Sequence, residues 1–247
     1  MCFLKGKHAW LAAPVLWVAW IAVITLVWAT HSPDWILAHF DCENSSPVET
    51  ATVTFLSFQI GLMWLVPPMA PSRKRTFFLA DFSLISVIAI CRKLDLHKLL
   101  VAPSHLPGAT AGTPFKMKFL TNAHNPLTDR LIVAACFAIV IVVCGGTLLY
   151  FLRRLLKGLF RLHPVCWSMA FLGGTTILCQ IADRLPANLR HHFGIHLNAA
   201  QSAFASVMEE GQETLLPLFV ILAILQAHFI YNNDPADSAE LARFREL

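Results

Sequence analysis

Residues 207–217 read V-M-E-E-G-Q-E-T-L-L-P and set three carboxylates, Glu209, Glu210 and Glu213, at the head of a run that stays apolar to Phe229. Glu209 and Glu213 stand four apart, so they share one face of a helix. Pro217 adds to the pattern, because a proline inside a helix has no N–H for the carbonyl four residues back, that of Glu213. Carboxylates grouped in this way hold cations, protons or N–H donors, and arginine is their natural counter-group. Glu49 opens another apolar run, and Asp183-Arg184 closes a third. The stretch R-K-L-D-L-H-K, residues 92–98, spaces Arg92 and Asp95 three apart and puts His97 beside Asp95. An imidazole next to a carboxylate is the equipment of a general base. If the chain is an enzyme, its catalytic candidates are His97, Asp95 and Glu213. The ligand-binding candidates are Glu49, Arg92, Asp183, Arg184, Glu209 and Glu210.

A metal reading attaches to R-H-H-F-G-I-H, residues 190–196. His192 and His196 are four apart, as helical zinc ligands are. Gly194 lies between them and weakens a helix. No H-E-x-x-H or C-x-x-C motif supports the metal, so no cofactor is expected, and zinc is the metal that histidines with carboxylates could hold. The simplest role for all these charges is also physical. Charges at helix ends bind water and lipid headgroups, and glutamates in a first turn complement the helix dipole.

The elements that carry these residues follow from composition. Of 247 residues, 56% are hydrophobic and 14% charged. A soluble domain carries about 25% charged residues, so this chain is a polytopic membrane protein of all-α class. A spanning helix needs about 20 apolar residues. Six segments qualify: 9–29, 49–69, 76–92, 130–152, 164–182 and 210–231. Residues 1–232 form the transmembrane helical bundle, and 233–247 a short polar cytoplasmic tail.

Sidedness comes from the basic residues. Lys5 and Lys7, then Arg73, Lys74 and Arg75, then Arg153, Arg154, Lys157 and Arg161 fall on one side when the segments alternate. That side is the cytoplasm, with both termini in it. The other side then gathers Glu49, the 91–98 stretch, Asp129-Arg130, Asp183-Arg184 and Glu209–Glu213 at one outer level. Val27-Trp28-Ala29 also fits a small-x-small cleavage pattern, although the apolar stretch before it is long for a signal peptide. Cys42, Cys91 and Cys179 lie outside, where a Cys42–Cys91 disulfide would act as a clamp. Loop 99–129 is long enough to be a lid, and its F-K-M-K-F-L stretch suits a membrane surface. Asp81, in the third segment, calls for a partner such as Arg73–Arg75 or His228. The pairs Gly145-Gly146 and Gly173-Gly174 suit close helix approach. No nucleotide-binding motif occurs, and the basic residues form no nucleic-acid face.

The set V-E-T-A-T-V-T-F-L, R-K-L-D-L-H-K, D-R-L-P and E-E-G-Q-E-T-L-L-P-L resembles a pattern of uncharacterised bacterial multi-pass inner-membrane proteins. The resemblance spans most of residues 43–225. It implies the inner membrane and an all-helical bundle, and it implies no activity. Asp95-x-His97 is also similar to part of the zinc site of alkaline-ceramidase-like membrane hydrolases, but the closing H-x-x-x-H on the last helix is absent here. Three functions fit: an outward-facing site binding a polar ligand, cation or lipid headgroup, with transport as one use; a hydrolase or transferase acting on a lipid-linked substrate; or an assembly subunit in contact with other membrane subunits.

Overall fold

The structure is a computed structural model that describes residues 8–40, 46–66, 73–94, 96, 117–122 and 124–232. Among them there is no strand. A 3₁₀ turn, Ala9–Leu11, leads into α1 (Ala12–Thr30), followed by α2 (Pro33–Phe40), α3 (Pro47–Leu65), α4 (Arg73–Lys93), α5 (Met117–Thr121), α6 (Leu127–Phe160), α7 (Pro164–Phe193) and α8 (Ala199–Asn232). Each of the six expected spans falls on a helix. Among the described residues, five helices are long and apolar enough to cross a membrane: Ala9–Thr30, Pro47–Leu65, Leu127–Phe160, Pro164–Phe193 and Ala199–Ile230. The remaining segment, α4, has the length but carries Asp81 in its middle and basic residues at both ends. Large apolar side chains stand exposed along the spans, including Val18 and Leu26 of α1 and Ile141, Val142 and Leu149 of α6. Such faces suit lipid and not water.

Local chemistry sets the helix ends. Ser46 caps α3: its hydroxyl accepts from Glu49 N at 3.0 Å, while Glu49 Oε2 accepts from Ser46 N at 3.1 Å. This is a reciprocal capping box, with Pro47 at the first helical position. Asn198 and Gln201 do the same for α8, at 2.9 and 3.0 Å. Gly194, at φ 66°, ends α7, and Ile195 N returns to Leu189 O at 3.1 Å. Gly194 N returns to the same carbonyl, so the left-handed glycine lets the chain turn back and satisfy an acceptor of the last turn. The reversal from α6 to α7 uses only residues 161–163, with Leu162 held at φ 55°.

The chain divides into two compact units, Met1–Pro71 with Arg154–Leu247, and Ser72–Arg153. In the first, α8 is the central helix. It packs against α1, α2, α3 and α7, and 44% of its apolar stretch is buried, against 22% or less in the other four spans. Helix α1 runs antiparallel to it. Trp28 Nε1 donates to Ala200 O at 3.2 Å, Trp20 Nε1 to Gly211 O at 2.6 Å, and Gln226 Nε2 to Ala9 O at 3.0 Å. Helix α7 is antiparallel to α8 as well, through Ser168 with Gln226 and Phe171 with Phe219. Trp10 against Trp167 and Trp17 against Phe171 make α1 and α7 parallel. These directions are the ones that back-and-forth threading demands of the first, fifth and sixth spans.

In the second unit, Phe119 of α5 packs on Val133 of α6, with Leu120 and Phe137 around them. Arg130 Nε donates to Leu120 O at 2.8 Å, and Asn125 Nδ2 to Phe119 O at 2.8 Å. The end of loop 99–129 is therefore a short helix seated on α6 by an aromatic side chain, and Arg130 holds its last turn. The rest of the loop lies outside the described residues.

Candidate functional site

The glutamates of α8 do not stand at a helix end. Asn198 and Gln201 start the helix at Ala199, so Glu209 and Glu213 lie about 15 and 21 Å along it at 1.5 Å per residue. Gly211, between them, faces Trp20 in the middle of α1. All three carboxylates belong to half-buried residues. Pro217 is fully buried inside the helix.

Around them lies a polar seam of uncharged side chains that the sequence reading passed over. Thr52 of α3 and Thr214 of α8 share a buried hydrogen bond of 2.7 Å. Thr52 Oγ1 also reaches Val48 O at 2.9 Å, and Thr214 Oγ1 reaches Glu210 O at 3.0 Å. Further along α8, Gln226 is fully buried; it accepts from Ser168 Oγ at 2.7 Å and donates to Ala9 O. Gln59 of α3 and Thr175 of α7 are each 2% exposed. Gln212, also 2% exposed, lies one residue from Glu213 and three from Glu209, and its Oε1 has no hydrogen-bond partner among the described residues. A buried amide oxygen without a donor costs about 1–3 kcal/mol, so this position favours a ligand that donates to it or coordinates it.

The other expected site residues sort differently. Glu49 is occupied by the capping box of α3. Arg184 is exposed and lines a shallow cleft of about 430 Å³ with Thr176, Gln180 and Asn188, all on α7. Among the described residues no ion pair joins Arg184 to the glutamates of α8. Asp183 is exposed beside it, and Arg92 is exposed in the last turn of α4. Asp95 and His97, the core of the enzyme reading, lie outside the described residues. His192 belongs to the last turn of α7 and His196 follows the Gly194 stop, so the pair does not share a helix face. Among the described residues, no three His, Cys, Asp or Glu side chains converge as metal ligands. Cys91 carries a free thiol, and Cys42, the partner considered for it, lies outside the described residues. Asp81 accepts a hydrogen bond from Thr147 Oγ1 of α6; the side chains of Arg73, Lys74 and Arg75 lie outside the described residues.

The signal for these features was present in short spacings. Ser46-x-x-Glu49 and Asn198-x-x-Gln201 are capping boxes. Thr52, Gln59, Gln212, Thr214 and Gln226 are the polar breaks in otherwise apolar runs. No protein-family model, curated protein or solved structure matches the chain. The fold and these contacts are therefore the whole basis for a functional reading. They describe a multi-pass, all-helical membrane protein.

Proposed function

We propose that the first unit of this membrane protein binds a cationic ligand, free or borne on a lipid headgroup, at Glu209, Gln212 and Glu213 of α8. One observation carries the reading: Gln212 Oε1 is buried in the central helix, next to carboxylates, with no donor among the described residues. An ammonium group or a metal cation would supply what that oxygen accepts, and the flanking carboxylates would supply the opposite charge. Asp183 serves on this reading as an outer-side negative charge that draws the cation in. Transport is the extension, and the buried polar groups further along α8, Gln226 with Ser168, support a continuation of the polar path. The inner membrane is the location we infer.

The test is unfolding of the protein in lipid nanodiscs against a panel of alkali cations, divalent cations and ethanolamine, repeated with and without phosphatidylethanolamine in the bilayer. A ligand at a hundred times its Kd stabilises by about 2.7 kcal/mol. At least one panel member is expected to stabilise the wild type and to lose that effect in Gln212→Leu and Glu213→Gln. A response to ethanolamine alone marks a free ligand, and a response to the lipid alone marks a headgroup. No response from any member sinks the proposal.

A further inference from the structure

Helices α7 and α8 meet along a seam that holds more polar atoms than its contacts use. Ser168 of α7 donates to Gln226 of α8, and Phe171 packs on Phe219 with ring centroids 5.9 Å apart. On α7, Thr175 and Cys179 stand seven and eleven residues beyond Ser168, so they share its face to within about 20°. Both are 2% exposed. On α8, Gln212 stands seven residues before Phe219 and shares its face in the same way. Thr175, Cys179 and Gln212 therefore belong to one interface.

The hydroxyl of Thr175 departs from a pattern that the other helical threonines of the first unit follow. Thr30, Thr50, Thr52, Thr54, Thr176 and Thr214 each donate to the carbonyl four residues back, at 2.8–3.1 Å. Thr175 Oγ1 is buried and makes no hydrogen bond among the described residues, and the same holds for Gln212 Oε1. The two helices are antiparallel. Counting from Phe171 and Phe219 sets position 178 opposite Gln212, and counting from Ser168 and Gln226 sets position 182 there. Thr175 thus lies about 5–10 Å along the axis from the level of Gln212. At about 2.8 Å per O–H···O bond, one water spans about 5.6 Å and two span about 8.4 Å. A hydroxyl that gives and accepts, near an amide oxygen that only accepts, is matched by water, which does both. The face of α7 around it, Ser168, Phe171, Leu172, Thr175 and Cys179, is uncharged, which suits a neutral ligand of this size.

We propose that the α7/α8 seam binds water at Thr175 and carries it to Gln212, as a hydrated lane that continues the polar line of Ser168 and Gln226. From Ser168 to the level of Gln212 the lane runs about 15–20 Å, at least half of the roughly 30 Å hydrocarbon core. It joins the end of α1 that Gln226 holds at Ala9 O to the level of the α8 carboxylates. The lane stands with or without a cation at Gln212.

The test is radiolytic footprinting of the full chain in lipid nanodiscs, read by peptide mass spectrometry. X-ray pulses make hydroxyl radicals from bound water, and these oxidise the side chains beside it. Cys179, a buried free thiol one turn from Thr175, is the reporter. Its oxidation is expected under X-ray pulses and not under laser photolysis of peroxide, which makes radicals in the bulk. The X-ray label is lost in Thr175→Val, reduced in Gln212→Leu and kept in Thr175→Ser, which retains the hydroxyl. An unlabelled Cys179 in folded wild type overturns the proposal. So does equal X-ray labelling of wild type and Thr175→Val, or equal labelling of the wild type by both radical sources, which would put Cys179 in open solvent. A Thr175→Val protein that fails to fold is recognised by its peroxide label, and the wild-type and Gln212→Leu arms then decide. A silent cation panel with Cys179 labelled removes the cation reading and leaves the lane.

Discussion

Gly211 offers a change whose sign the geometry decides. A Cβ added there would lie 2.9 Å from Ile24 Cγ2 and 3.6 Å from Ile24 Cβ. An ordinary carbon–carbon contact is about 3.5–4.0 Å, so the methyl group falls short by about 0.6–1.1 Å. Ile24 cannot easily yield. It is 3% exposed, and a β-branched residue in a helix has one strongly preferred χ1 rotamer. Gly211→Ala therefore has to part α1 from α8 and lengthen the 2.6 Å bond from Trp20 Nε1 to Gly211 O. Overpacking of this kind costs about 1–3 kcal/mol, while alanine gains about 0.8–1.0 kcal/mol over glycine in helix propensity. The first term wins, and a net loss of about 1 kcal/mol is expected. In an Ile24→Ala background the obstructing Cγ2 is gone, so the same Gly211→Ala change should stabilise by up to about 1 kcal/mol. Unfolding by titration with SDS in mixed micelles, followed by tryptophan fluorescence, measures both legs of this cycle. The reasoning fails if Gly211→Ala is neutral or stabilising with Ile24 present, or if its effect is the same in both backgrounds.

Three further changes have defined outcomes. Gln226→Leu keeps the volume but removes the bonds to Ser168 and Ala9; interhelical hydrogen bonds in membranes average about 0.6 and reach about 1.7 kcal/mol, so a loss of about 1–2 kcal/mol is expected, largely suppressed when Ser168→Ala is already present for the Ser168 share. Leu162→Gly relieves a left-handed backbone at a 40% exposed side chain, and a gain of about 0.5–1 kcal/mol in the unfolding titration checks it. Asn198→Ala removes the α8 cap and should cost about 1 kcal/mol, seen also as faster amide exchange over residues 199–203.

The spans were readable because lipid imposes a length and an apolar content that few other environments require. The α8 start was not. H-L-N-A-A-Q-S-A-F-A-S-V-M is too polar to read as a span, and only the Asn198–Gln201 reciprocity shows that the helix begins there. That misplacement put Glu209–Glu213 in a first turn, when they lie well inside the helix. Charge drew attention to Glu49 and Arg130, yet both serve helix ends. The uncharged seam of Thr52, Thr214, Ser168 and Gln226 was hidden because hydroxyls and amides hardly disturb an apolar run, and which of them meet depends on helix rotation that sequence alone does not supply.

Trp20, Trp28 and Gln226 fasten α1 to α8 at three points, and at each of them the acceptor is a main-chain carbonyl. Main-chain oxygens are common to every amino acid. Positions 200 and 9 are thus free to drift chemically so long as nothing bulky intrudes, Ile24 leaves position 211 no room for a side chain, and the two indoles and the amide bear the selection. A set of divergent relatives should show that asymmetry: donors held fixed, positions 9 and 200 varied among small residues, and position 211 kept as glycine wherever Ile24 is kept.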